Sequence, residues 1–157
     1  MSNKYLLIHG LFTDDFYRKV TKRKGLSGVL VLEGRPRLEG AKETCKKLLQ
    51  NRLTPTLLCD NMAGFCFYRE MVKEVHLAAQ EIHKTATVCK IGSLVLAVAA
   101  KYHKVPVFMH ESSRKIESHC KAREIFHFAG VHVAPLGIKA YTALTEEVPL
   151  YYFERGK

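Results

Sequence analysis

Thr54-Pro55-Thr56-Leu57-Leu58-Cys59-Asp60-Asn61-Met62-Ala63-Gly64 is a short apolar run that stops at Asp-Asn, after which small residues open a helix. Asp60 and Asn61 suit a helix N-cap, because their side-chain oxygens can accept from the free N–H groups of the following turn. Ala63 and Gly64 leave room for another backbone or a ligand to approach. A strand-to-helix crossing with a polar group at its mouth is where ligands sit in open α/β sheets. A plain helix cap looks the same, so the meaning of the segment depends on whether such mouths recur.

They recur on both sides of it. Upstream, Tyr5-Leu6-Leu7-Ile8-His9-Gly10 is a buried strand ending at His9, and Thr13-Asp14-Asp15 starts a helix that Gly25 stops. Ser27 to Leu32 is uninterruptedly apolar, as suits a parallel strand covered on both faces. Glu33-Gly34-Arg35-Pro36 follows, then a helix with Leu38, Ala41, Cys45, Leu48 and Leu49 at helical spacing. Gly40 in its first turn is a poor helix former, which points to close packing or to an anion approaching free N–H groups.

Downstream, Phe65 to Val72 reads as a short helix, and Val75–Ala79 as a strand ending at Gln80-Glu81. A loop with Lys84, Thr85, Thr87 and Lys90 leads to a helix over Ile91–His103. That helix is apolar on nearly all sides, which predicts burial between the sheet and something else, a partner subunit being one candidate. Val105–Met109 is the next strand, ending at His110-Glu111-Ser112, and Gly130–Pro135 and Pro149–Phe153 are short further strands.

Strands alternating with helices predict an α/β fold: a Rossmann-like parallel β-sheet with right-handed crossovers and helices on both faces. The 157 residues fit a single domain, 1–157. The strand mouths then share one edge and gather His9, Arg35, Asp60, Gln80 with Lys90, and Glu111, a rim suited to a phosphate ester or nucleotide.

Composition narrows the classes. Hydrophobic content of 47% predicts a folded globule, and no apolar run is long enough for a membrane span. The first apolar run is too short for a signal-peptide core, and five scattered Cys without a CxxC read as reduced thiols, so a cytoplasmic protein is expected. Cys59 reads as a small core residue. Cys120, His127 and His132 match no zinc spacing, and neither a metal nor a cofactor is expected. The net charge of +10 suggests an acidic partner. Arg18, Lys19, Lys22, Arg23 and Lys24 crowd one segment, a solvated helix face or a contact for RNA.

Three motifs stand together: Glu33-Gly34-Arg35-Pro36 with Leu38-Glu39-Gly40-Ala41; Asp60-Asn61-Met62-Ala63-Gly64; and Lys90-Ile91-Gly92-Ser93 with Leu96-Ala97-Val98-Ala99. Their order and spacing resemble the C-terminal domain of the superfamily that holds the regulatory subunits of translation initiation factor 2B, the methylthioribose-1-phosphate isomerases and the archaeal ribose-1,5-bisphosphate isomerases. The resemblance implies a Rossmann-like domain, dimeric through this part of the chain, without the family's helical N-terminal domain. It also places the isomerase residues. The catalytic Cys falls on Gly10 and the catalytic Asp on Gln80, while the Gln before Gly-Ala falls on Glu39 and the Asn before Lys-Ile-Gly on Cys89. Arg35, Asp60 and Lys90 match.

Aldose–ketose isomerisation needs a titratable group beside the sugar, and Gln cannot supply one. The expectation is therefore a factor 2B-related domain without catalytic residues. It would bind a phosphate ester or nucleotide through His9, Arg35, Gly40, Asp60, Asn61, Gln80 and Lys90, and it would interact with proteins as a homodimer or homo-oligomer. A sugar-phosphate isomerase and an RNA- or ribosome-associated basic protein are the alternatives.

Overall fold

A computed structural model describes residues 4–154. Four parallel strands make its centre: β1 (Tyr5–His9), β2 (Gly28–Leu32), β3 (Pro55–Leu58) and β4 (Val72–Ile82), in the order β3-β2-β1-β4. Between them run helix α1 (Asp14–Thr21), a π-helical turn Gly40–Thr44 continuing into α2 (Cys45–Gln50), and α3 (Ala63–Tyr68). The chain continues through β5 (Ala86–Lys90), α4 (Ser93–Tyr102), β6 (Val107–Glu111), α5 (Ala122–Phe126), a small hairpin β7 (His127–Phe128) and β8 (Val131–His132), and β9 (Thr145–Pro149).

The apolar strands alternate between two cores because successive side chains point to opposite faces. Leu7, Leu30, Leu32, Val75 and Leu77 pack with Phe67, Leu96 and Ala100 from α3 and α4. Leu6, Ile8, Val29 and Val31 pack with Phe16, Tyr17, Val20 and Leu48 from α1 and α2.

The sheet departs from all-parallel at its far end. The last residues of β4 pair antiparallel with β5, and β5 pairs antiparallel with β9, whereas β6 pairs parallel with β4. The segment expected to be a loop at Lys84–Lys90 is thus largely strand. Its polar residues concealed this: Thr87 is fully buried, with its hydroxyl donating to the Glu81 carbonyl (2.6 Å).

Other boundaries move as well. The helix expected over Phe65–Val72 ends at Tyr68, because Glu70 takes a left-handed φ of 53° and the Met71 N–H reaches back to the Cys66 carbonyl (3.0 Å). The last strand lies at Thr145–Pro149, before the expected Pro149–Phe153, whose residues Leu150–Tyr152 form a 3₁₀ turn. Of Gly130–Pro135, only Val131–His132 pairs, off the main sheet. Helix α4 is covered on one side only: Leu96, Ala97 and Ala100 are buried while Val95, Val98 and Tyr102 are exposed. Cys59 is exposed rather than in the core, since β3 is the edge strand.

Candidate functional site at the ends of the parallel strands

The ends of β1, β2, β3 and β4 and of β5 converge, and the geometry there is that of a closed polar knot. Asp60 is its tie. Its two carboxylate oxygens accept the backbone N–H groups of Gly34 (2.8 Å) and Arg35 (2.7 Å), which locks the loop after β2 to the end of β3. The helix cap expected of Asp60 and Asn61 is not made: a 3₁₀ turn, Asp60–Met62, leads into α3 without a side-chain cap bond. Asn61 is exposed.

Gly40 is explained by packing. A Cβ there would collide with the carbonyl oxygen of Leu32, so only Gly lets this turn lie against the end of β2. Gly34, with φ 78°, has a similar role: a Cβ on it would sit 3.1 Å from Lys90 Cε.

Lys90 and Glu39 are both buried, and Lys90 Nζ lies 2.8 Å from Glu39 Oε2. The two charges neutralise each other at this distance, but their orientation falls short of a hydrogen bond, so Nζ and Oε2 each lack a hydrogen-bond partner. A buried charge left alone would be very costly, which is why the acid that would repel a phosphate is tolerated here. His9 is also buried, and its Nε2–H donates to the Ile91 carbonyl (2.9 Å). Burial pushes the His9 imidazole below its ordinary value, and the Lys90 charge pushes the same way against the Ile91 hydrogen bond.

Gly10 and Gln80 complete the knot. Gly10 has φ 111°, and a Cβ on it would lie 2.7 Å from Ala78 Cβ. The position is therefore sterically shut as well as lacking a nucleophile. Gln80 Oε1 accepts the Ile116 N–H. With Ser113 N–H donating to the Leu11 carbonyl (3.0 Å) and Ser112 N–H to the Ala79 carbonyl (2.8 Å), this fastens Ser112–Ile116 as a strap over the strand ends. The cavity left beneath, bounded by Gly10, Ala78, Gln80, Lys90, Ser112 and Ile116, is about 10 Å³, room for at most one water.

The rim residues expected to meet do so in part. His9, Gln80, Lys90, Asp60 and Gly40 surround the knot, whereas Glu111 lines cavities beside His110 instead. Arg35 contributes only its backbone, because its guanidinium turns away to donate to the carbonyls of His127 (3.0 Å) and Ile125 (3.2 Å), over the Phe128 ring. A wider cleft of about 630 Å³ lies outside the strap, between Leu11–Asp14 and the helix bearing Glu43 and Lys47. Its acids are already paired, Asp14 with Lys47 and Glu43 with Arg114.

The basic segment is similarly engaged. Arg18 and Lys19 pair with Asp15, and Arg23 with Glu74, which leaves Lys22 and Lys24. No group of three or more metal-ligating side chains occurs among the described residues, and no described helix is long and apolar enough to cross a membrane.

Sequence reasoning missed two features. One is the strap, whose residues carry no regular periodicity. The other is the polar column of β4 and β6, Glu74 and His76 beside His110. Their even spacing along two strands places them on one sheet face, a signal present in the sequence.

Known proteins share this architecture. The structure of translation initiation factor eIF-2B, subunit delta, from A. fulgidus superposes with a TM-score of 0.82 at 22% identity, over 96% of this chain and 50% of that one. The 5-methylthioribose 1-phosphate isomerase of Pyrococcus horikoshii OT3 also gives 0.82 at 22% identity, over 97% of this chain and 48% of its own. In sequence, the methylthioribose-1-phosphate isomerase of Chloroflexus aurantiacus is 36% identical over 124 residues, covering 71% of this chain but only 36% of that protein. The chain thus spans little more than a third of the length of that relative. The family model described as the initiation factor 2 subunit family matches residues 14–131, the stretch that contains the Asp60 tie, the Gly40 turn and the Lys90 strand, and the chain belongs to that family.

Proposed function

We propose that this domain does not isomerise sugar phosphates and works as a protein-interaction module that associates with a second copy of itself. The observation that carries the reading is the closed knot. Gly10 has no space for a side chain, Gln80 cannot ionise to act as a general acid or base, and about 10 Å³ remains beneath the strap. A phosphate ester would have to lift Ser112–Ile116 and draw Lys90 away from Glu39, so binding of one at this rim is weak.

Association is supported by the outer face of α3 and α4. Phe65, Tyr68, Val95, Val98 and Tyr102 are exposed there, and exposed apolar clusters of this kind mark contact surfaces. The two helices are joined by Phe67 stacking on His103, with ring centroids 5.7 Å apart. A solved relative that is a subunit of eIF-2B fits a domain that works in an assembly.

The second reading, a methylthioribose-1-phosphate isomerase, is favoured by the names of the sequence relatives. Proton NMR of methylthioribose-1-phosphate and ribose-1,5-bisphosphate incubated with the purified protein separates the two. No ketose above the protein-free rate is expected. Product that grows in proportion to enzyme establishes the isomerase instead.

A further inference from the structure

On the α1 side of the sheet, away from the knot, four side chains form a chain of contacts. Arg23 grips Glu74 through two hydrogen bonds (2.6 and 2.8 Å). Glu74 Oε2 lies 3.2 Å from His76 Nε2, and His76 Nδ1 lies 2.7 Å from His110 Nε2.

The polarity of this chain is fixed by chemistry. The Arg23 hydrogen bonds hold the Glu74 carboxyl below its usual range, so Glu74 is ionised and only accepts. His76 Nε2 must then carry its hydrogen and donate. Burial first, then the neighbouring His110, lowers His76 to about 4, and burial with the Lys19 charge lowers His110 to about 4, so both rings are neutral at pH 7. Neutral His76 therefore accepts at Nδ1, and His110 donates from Nε2. His110 Nδ1 is left as a lone pair with no partner among the described residues. His110 is half-buried rather than sealed, and its ring lines a cavity.

His110 and His76 line a cavity of about 360 Å³, within the size range of small-molecule sites. Phe16 and Val20 form its apolar wall, the Phe16 ring standing edge-on to His110 at 4.7 Å. Lys19, Arg23, Asp15 and Glu111 are its charged groups. Arg23 is committed to Glu74. Lys19 is held only by Asp15, in a pair that is 77% and 53% exposed, and such pairs exchange at little cost.

We propose that this cavity is a binding site for a small hydroxycarboxylate, whose hydroxyl donates to His110 Nδ1 and whose carboxylate meets the Lys19 ammonium. A ligand with a donor satisfies the lone pair. With Arg23 spent on Glu74 and Asp15 shared with Arg18, Lys19 is the cation of the cavity that can turn to an anionic group. The carbon skeleton lies on Phe16 and Val20. This site is independent of the knot and of the association face.

The test uses the full chain labelled with ¹⁵N-histidine and titrated with L-malate, and with succinate, which lacks the hydroxyl. A saturable shift of the His110 Nδ1 resonance with malate is expected, with malate bound about five to ten times more tightly than succinate, the difference one neutral hydrogen bond makes. His110→Phe, which keeps a ring against Phe16, reduces malate to the succinate level. Lys19→Gln, at an exposed position that does not threaten folding, weakens both about fivefold. The absence of a saturable shift, a malate preference that survives His110→Phe, or malate affinity unchanged by Lys19→Gln overturns the assignment.

Discussion

Lys90 and Glu39 show what single side chains do in this molecule. A lysine at the end of a strand invites an anion, but here the anion is an internal carboxylate 2.8 Å away. Removing one partner leaves the other charged and buried. Glu39→Gln is expected to lower unfolding free energy by about 3–5 kcal/mol, and Glu39→Gln/Lys90→Met by clearly less, both read from denaturant midpoints. Gly10 is equally specific. Gly10→Cys restores the residue type of the isomerases but forces a Cβ against Ala78 at positive φ, so it is expected to cost at least about 2 kcal/mol and to yield no turnover.

The histidine pair sets a pH dependence. His76 and His110 fall to about 4 in the folded protein from an ordinary 6.5. Between these values the unfolded chain binds protons that the folded chain does not, so their contribution is complete above pH 6.5 and is lost as the pH falls toward 4. The thermal midpoint should decline across that window, and His76→Phe/His110→Phe should flatten the decline.

At the scale of elements, α2, α3 and α4 share one ending. Arg52, Glu70 and Lys104 take left-handed φ values of 61°, 53° and 58°, and in each case the next N–H bonds back into the last turn, Leu53 to Leu48, Met71 to Cys66 and Val105 to Ala100. A left-handed L-residue costs roughly 1–2 kcal/mol; Gly removes that strain, but the freedom it adds to the unfolded chain offsets part of the gain. Lys104→Gly is thus expected to stabilise by a few tenths to about 1 kcal/mol in a urea titration; destabilisation would mean that the lysine side chain makes a compensating contact.

The same endings explain what could be read from the sequence. Apolar β1 and β2, and the break at Asp60, were legible because burial and chain reversal leave strong local signals. The end of α3 was not, because Glu70 does the work usually done by glycine. Strand β5 was hidden by Thr87 and Lys90, polar residues buried only because Glu81 and Glu39 lie near them in space. Arg35, Asp60 and Lys90 could be placed at one rim, but not the direction of the Arg35 guanidinium or the internal partner of each group, which are set by residues as much as 92 positions away.

For the whole molecule, the two sheet faces have different fates. The α1 face is filled by Phe12, Phe16, Tyr17 and Leu48, whereas α3 and α4 cover the other and leave Val95, Val98 and Tyr102 outward. Val95→Asp/Val98→Asp places charge on that surface without touching the core. Sedimentation equilibrium should show the wild type as a dimer or larger and this variant as a monomer with an unchanged circular dichroism spectrum.

The chain's own groups close the strand ends, and the amide proton of Ile116, held by Gln80 beneath the strap, is the nearest reporter of that closure. Its hydrogen exchange should be slow and should be the same with and without saturating methylthioribose-1-phosphate. Rapid exchange, or a rate that the sugar phosphate changes, would mean that the strap opens to admit a substrate and would contradict the account.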